Sequence, residues 1–205
     1  MGPSYLLFPV SHVNIEHLFT ELGVFVDKLH SGHTIKSFDC SNSDLNDFLF
    51  DDALLYTKYR SYITYTIGNE NETIAYYSLA NDSLCLSPQN DEELLEQLMP
   101  IIEEAPDEYV SDMINSASFP AVKIGRLAVN HKYQKLGIGT FILNAIIDSF
   151  IGENKTGCQF ITVESINTPG INHFYQRNGF NYLTIADHVS SVRQMYKCLL
   201  PYIVT

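Results

Sequence analysis

Apolar and polar positions change period several times along this chain. Val122, Ile124, Leu127, Ala128 and Val129 form a short apolar run ending at the polar turn Asn130 to Tyr133, a pattern that predicts a buried strand. Past Gln134-Lys135-Leu136-Gly137-Ile138-Gly139, the apolar positions Phe141, Ile142, Ala145, Ile146 and Phe150 predict a helix. A second strand is predicted over Cys158 to Ser165, then a short helix ending in Phe174 to Phe180, and a last strand over Val192 to Leu199. In the N-terminal half, residues 5–10 read as a short strand, and Val13 to Leu29 read as a helix through Ile15, Leu18, Leu22, Phe25, Val26 and Leu29. His33 to Phe38 reads as the first core strand. Ser41 to Asp44 has the form of a capping box, opening a helix with Leu45, Phe48, Leu49 and Leu55 on one face and its end near Lys58. Tyr62 to Ile67 and Thr73 to Ala80 are aromatic and β-branched, separated by Gly68-Asn69-Glu70-Asn71, and predict a hairpin. Glu92 to Ile102 reads as helical, with Pro100 and Pro106 interrupting it.

A chain of 205 residues, 45% apolar, suits one domain spanning 1–205, with an N-terminal extension over 1–32 and an acidic insert over 83–118. The net charge of −12 is unevenly spread. Residues 61–122 hold 12 acids and no base, whereas residues 123–205 hold 4 acids and 8 bases. No dense Lys/Arg cluster is present, so direct nucleic-acid binding is not expected. The cysteines Cys40, Cys85, Cys158 and Cys198 lie far apart, without a CxxC pair, and are expected as reduced thiols. The histidines are scattered, with His131 in a turn and His173 read as structural, and no metal is expected. No 18-residue apolar run is present and the N-terminus lacks signal-peptide features, so a cytoplasmic protein is expected.

The loop before the glycine-opened helix carries the first candidate chemistry. A helix start leaves N–H groups unpaired at the positive end of the helix dipole, which suits phosphate if the backbone can be approached closely. Gly137 and Gly139 would permit that approach. The loop is not a Walker A motif, since no Lys-Ser/Thr follows the glycines, and it falls short of the dinucleotide fingerprint. A turn whose glycines only pack is the alternative.

The order Arg126-Leu-Ala-Val, Gln134-x-x-Gly137-x-Gly139, a strand, then Phe174-Tyr175-x-x-x-Gly179-Phe180 resembles the GNAT superfamily of acetyl-CoA-dependent N-acetyltransferases. The likeness is close from Phe119 to Leu199 and loose from Ile35 to Asp82. It implies an α/β (α+β) fold with a mixed central sheet whose fourth and fifth strands are parallel and splayed, with acetyl-CoA as co-substrate between them. The pyrophosphate would lie on the N–H groups of Gln134, Lys135, Leu136, Gly137, Ile138, Gly139 and Thr140. The backbone of Leu127, Ala128 and Val129 would hold the pantetheine arm and polarise the thioester. Tyr175 would protonate the leaving thiolate, and Asn167 would touch the coenzyme. Both tyrosine and loop also admit a packing role.

A general base is not evident. Ala121 to Asn130 contains no acid, and Glu164 is either a base or a solvent-facing charge; a water chain is a third option. The leading reading is acetyl transfer to a primary amine by direct attack. The phrases FDCSNSDLNDFL and FPAVKIGRLAVNHKYQ are also similar to GNAT toxins that acetylate charged tRNA. A non-catalytic coenzyme A binding module is a reading of another class. The acidic insert would attract a cationic amine or is merely a solvated surface. A homodimer stays open.

Overall fold

The computed structural model describes residues 15–85, 91–102, 105–116, 118–152 and 156–203. The strand expected over residues 5–10 lies outside them. The described residues form a seven-stranded mixed sheet, in the order β1-β2-β3-β4-β5-β7-β6. The strands are β1 (Phe25–Lys28), β2 (Ile63–Gly68), β3 (Thr73–Cys85), β4 (Ser118–Val129), β5 (Phe160–Ile166), β6 (Asn181–Tyr182) and β7 (Val192–Cys198). Among the described strands, only β4 and β5 pair in parallel. The expected hairpin is β2–β3, with Tyr65 opposite Tyr77 and their rings stacked at 5.1 Å.

One face of the sheet carries α6 (Ile138–Ile151), α7 (Pro169–Arg177) and α1 (Ile15–Glu21). Their shared core includes Val122, Ile124, Ile142, Leu143, Ile146, Ile161 and Val163, with Leu18 and Phe19 of α1 packed against it. The other face has two separate covers. At the start of β4 and β5, α4 (Asp91–Leu98) and α5 (Asp107–Asn115) bury Leu94, Leu98 and Met113 against Phe119, Phe160 and Tyr196. Toward the end of β4, α2 (Ser43–Asp47), a π-helical turn (Phe48–Asp52) and α3 (Ala53–Lys58) bury Phe48, Leu49 and Ala53 against Tyr76 and Ala128. The chain closes on α8 (Leu200–Ile203).

Three expectations about the N-terminal half are corrected. The helix expected to reach Leu29 stops at Glu21. Gly23 takes φ 61°, and Val24 N–H bonds to Phe19 O while Gly23 N–H bonds to Thr20 O, the pair of bonds of a Schellman cap. Past that stop, the β-branched and aromatic residues join the sheet as β1, antiparallel to β2. His33 to Phe38 is then left out of the sheet apart from a single bridge between Ser37 and Glu72, and Phe38 is buried against Tyr76. The cap of α2 is Asn42, whose side chain accepts from Leu45 N–H, and not Ser41, which sits at φ 64° and donates its N–H to Asp39.

Candidate active site

The site begins with a defect in strand pairing. β4 and β5 pair from Ala121↔Phe160 to Ile124↔Val163 and no further, although β4 continues to Val129 and β5 to Ile166. The register between β3 and β4 shifts at the same point: Leu79 faces Ile124 and Ser78 faces Arg126, leaving Gly125 as an extra residue. Such a bulge bends the strand and increases its twist. Tyr62 lies over it so closely that a β-carbon on Gly125 would fall 2.1 Å from the ring. Beyond the bulge, Asn130 N–H bonds to Ile74 O, so ladder alternation turns the N–H of Ala128 to β3 and those of Leu127 and Val129 to the open side.

The opening belongs to a groove of about 1180 Å³ between β4, the Gln134 to Thr140 loop and α7. Leu127, Val129, Gln134, Lys135, Leu136, Gly137, Ile138, Gly139 and Thr140 all line it. Ala128 does not; its side chain is in the core of the opposite face. Lys135 at φ 63° and Gly137 at φ 90° turn the loop back on itself. The first bond of α6 runs from Phe141 N–H to Gly137 O, so the N–H groups of Ile138, Gly139 and Thr140 precede any intrahelical partner. Successive amides in such left-handed turns form an anion-binding concavity.

The two glycines serve different ends. Gly137 holds a conformation that strains an L side chain. A β-carbon on Gly139 would meet the Phe174 ring at 3.2 Å, so α6 and α7 meet closely here. Next to Phe174, Tyr175 lines the groove; its residue is 7% exposed, and its ring packs edge-on against Phe174 and Phe180. Burial raises the Tyr175 phenol well above its ordinary value, so it keeps its proton at neutral pH.

Asn167 is not on the groove. Its amide donates to His188 O at 3.0 Å and Ser190 O at 2.8 Å, and its carbonyl oxygen accepts from Asn172, which in turn accepts from Ser165. This network ties β5 to the loop before β7. Glu164 projects from the face opposite α6 and pairs with Lys123 at 2.8 Å, beside a smaller cavity of about 340 Å³ lined also by Asp82 and Thr162. Among the described residues, no carboxylate lines the large groove. Sequence reading missed Ile15, Tyr133, Asn144, Ile171 and Arg177, which also line it. The Phe174-Tyr175 signature could have pointed to Ile171 and Arg177 as helix neighbours; nothing in the sequence pointed to Ile15, which α1 delivers through the Phe19–Phe141 contact.

Comparison with known proteins agrees with this geometry. Residues 101–182 match the model of the acetyltransferase (GNAT) domain. No curated protein sequence matches the chain. Among solved structures, a tyrosine-to-phenylalanine mutant of KacT is 18% identical, with a TM-score of 0.65 over 88% of this chain and 98% of that one. The AtaTR complex bound with acetyl-CoA is also 18% identical, with a TM-score of 0.64 over 89% and 98% of the two chains. AtaT complexed with acetyl-methionyl-tRNA(fMet) has a TM-score of 0.59 at 18% identity over 83% and 93%. The sequence match over β4, the glycine loop, α6, β5 and α7 makes residues 101–182 similar to a GNAT acetyltransferase domain, and the fold they build is shared with the acetyl-CoA-bound AtaTR structure.

Proposed function

We propose that the chain transfers the acetyl group of acetyl-CoA to a primary amine by direct attack, without a covalent enzyme intermediate. The observation that carries this reading is the coincidence, in the lining of one groove, of the glycine loop with its free helix-start amides and the protonated Tyr175 phenol. The amides of Lys135 to Thr140 would hold the pyrophosphate, with Gly137 supplying the left-handed turn. The outward N–H groups of Leu127 and Val129 would align the pantetheine arm and polarise the thioester carbonyl. Tyr175 would give its proton to the departing thiolate. With no carboxylate on the groove among the described residues, water is the natural route for the proton leaving the amine. Asn167, committed to the loop before β7, would act on the groove only indirectly. The setting we propose is the cytosol, which suits four unpaired cysteines.

The test is release of free coenzyme A thiol from acetyl-CoA, measured across a panel of amines, peptides and charged tRNA. Turnover that depends on an amine acceptor is expected. Tight acetyl-CoA binding without turnover on any acceptor would leave only a coenzyme-binding module.

One acceptor reading has its own support: the amine of an aminoacyl-tRNA. The fold is similar to KacT and AtaT over most of the chain, and AtaT has been captured with acetyl-methionyl-tRNA(fMet). The acidic helices α4 and α5 lie on the face opposite α6, while Lys135 and Arg177 line the groove. Acetylation of charged tRNA in preference to polyamines, aminosugars and lysine peptides would establish this reading. The reverse preference would establish a cationic small amine as acceptor.

A further inference from the structure

We propose that Asp27, His30 and His33 form a site for a divalent transition-metal ion of the zinc class. Asp27 is on the edge strand β1, and the two histidines lie in the turn that follows it. His33 N–H bonds back to His30 O, and Gly32 at φ 97° closes the turn, which brings the rings to 5.7 Å between centroids. One ligand atom from each of the three side chains lies within 4.8 Å of the others. A groove of about 320 Å³ opens on the cluster, with room for water to complete the coordination.

The hydrogen bonds orient His30 and allow a His33 tautomer that leaves one nitrogen free on each ring. His30 Nδ1 is 3.0 Å from Ser31 O, a carbonyl that can only accept, so Nδ1 carries the proton and Nε2 keeps a lone pair. Thr66 Oγ1 lies 3.5 Å from Asp27 O and 3.5 Å from His33 Nε2. If its hydroxyl donates to the carbonyl, it accepts from Nε2–H. The Nδ1 of His33 then presents a lone pair to Asp27 Oδ2 at 3.4 Å. In that tautomer a metal ion between the two acceptors would satisfy both; in the other, Nδ1–H donates to the Asp27 carboxylate and Nε2 accepts from the Thr66 hydroxyl. Carbonyl and hydroxyl partners behind the ligating imidazoles are the arrangement that orients histidines at metal centres. Two imidazoles and one carboxylate favour a borderline first-row ion over magnesium or calcium, which prefer all-oxygen shells. Glu72, on the same groove, is already held by Lys132 and Tyr133, both at 2.8 Å.

The site is three strands from the β4 opening, and its occupancy would pin the edge strand β1 and its turn to β2. Zinc chloride titrated into the metal-free full chain, followed by calorimetry, should saturate at one equivalent. Cobalt chloride should give a visible spectrum of nitrogen and oxygen ligands without thiolate charge transfer, which separates this site from the free cysteines. His30→Ala removes an exposed side chain and should weaken zinc binding by about tenfold or more. His33→Ala should do the same, with circular dichroism confirming that each variant is folded. Absence of saturable zinc binding in the wild type would overturn the proposal. Unchanged binding in the folded His30→Ala/His33→Ala protein, or a thiolate spectrum with cobalt, would equally overturn it.

Discussion

The two halves of the β4–β5 pair have similar composition and opposite fates. From Ala121 to Ile124 the strands are hydrogen-bonded, and the far face of that half is sealed by Leu94, Leu98 and Met113 from the acidic segment. From Leu127 to Val129 the side chains are just as apolar, yet β5 has turned away and the strand edge looks into the large groove. Hydrophobicity therefore does not decide where the sheet opens. The extra residue Gly125 decides it, by re-aiming the rest of β4, while β5 keeps its partner β7 through Ile166↔Val192. An open edge inside a sheet normally leaves backbone polar groups without partners. Here the unpaired amides are what a pantetheine arm would use.

The most damaging way to break this contrast is at the bulge. Gly125→Val would drive side-chain atoms into the Tyr62 ring, since the β-carbon alone would lie 2.1 Å away. Overpacking of this kind costs about 1–3 kcal/mol, and each kcal/mol is roughly 2–4 °C in Tm for a chain of this size. Loss of both stability and acetyl-CoA binding is expected. Adding Tyr62→Ala should restore much of the Tm and of the binding, because Gly125 is not at positive φ and the Tyr62 ring is the obstacle that its β-carbon would meet. Recovery of the Tm without recovery of binding would show that glycine is needed at the bulge itself.

Tyr175→Phe would act on the proposed chemistry and leave the opening intact. Turnover should fall by roughly tenfold or more with acetyl-CoA affinity nearly unchanged, as for loss of a general acid. Wild-type turnover under conditions where chemistry limits the rate would remove Tyr175 from the mechanism.

The loop glycines sharpen the comparison further. Gly137→Ala places a side chain at φ 90° and near Ile15, whereas Gly139→Ala meets only the edge of the Phe174 ring at 3.2 Å. Gly137→Ala should therefore weaken acetyl-CoA binding in calorimetry more than Gly139→Ala. Adding Phe174→Leu to Gly139→Ala should recover affinity if ring contact is the whole cost. Failure of that recovery would show that Gly139 is needed bare for the ligand itself.

Much of this was readable in the chain, but unevenly. The β2–β3 hairpin and α6 were plain because aromatic and β-branched runs, or helically spaced aliphatics, were bounded by clear turn residues. Val24 to Leu29 was not, because a run that short satisfies helix and strand periods alike, and only Gly23 marks the break. The loop was recognisable from Gly137 and Gly139, yet the ring that a β-carbon on Gly139 would meet, Phe174, is a tertiary neighbour. Gly125 carried no local signal of a bulge, since the bulge exists only against the register of β3. Asn167 lay near the motif in sequence, but the loop before β7 claimed its amide. His30 and His33 were read only among scattered histidines, and Asp27 was not singled out, because their meeting depends on β1 ending where it does.

The smallest expected effect tests whether the sealed end influences the open one. Glu92 and Glu96 are exposed on α4, which packs at Phe119, Ala121 and Phe160. From Ala121 to Leu127, the strand rises roughly 20 Å, more than twice the Debye length of about 8 Å at physiological salt. Their field at the groove is accordingly weak in that medium and grows as salt is lowered. The sign of the effect depends on the acceptor. For a cationic amine, Glu92→Gln/Glu96→Gln removes attraction, so KM should rise at low salt and its salt dependence should flatten. For an acceptor carried on a polyphosphate chain such as tRNA, the same change removes repulsion, and KM should fall. A change of less than about twofold is expected at physiological salt in either case. Equal KM at low salt for both acceptor classes would leave the acidic segment as a cover for the paired half of β4 and β5, with no part in substrate capture.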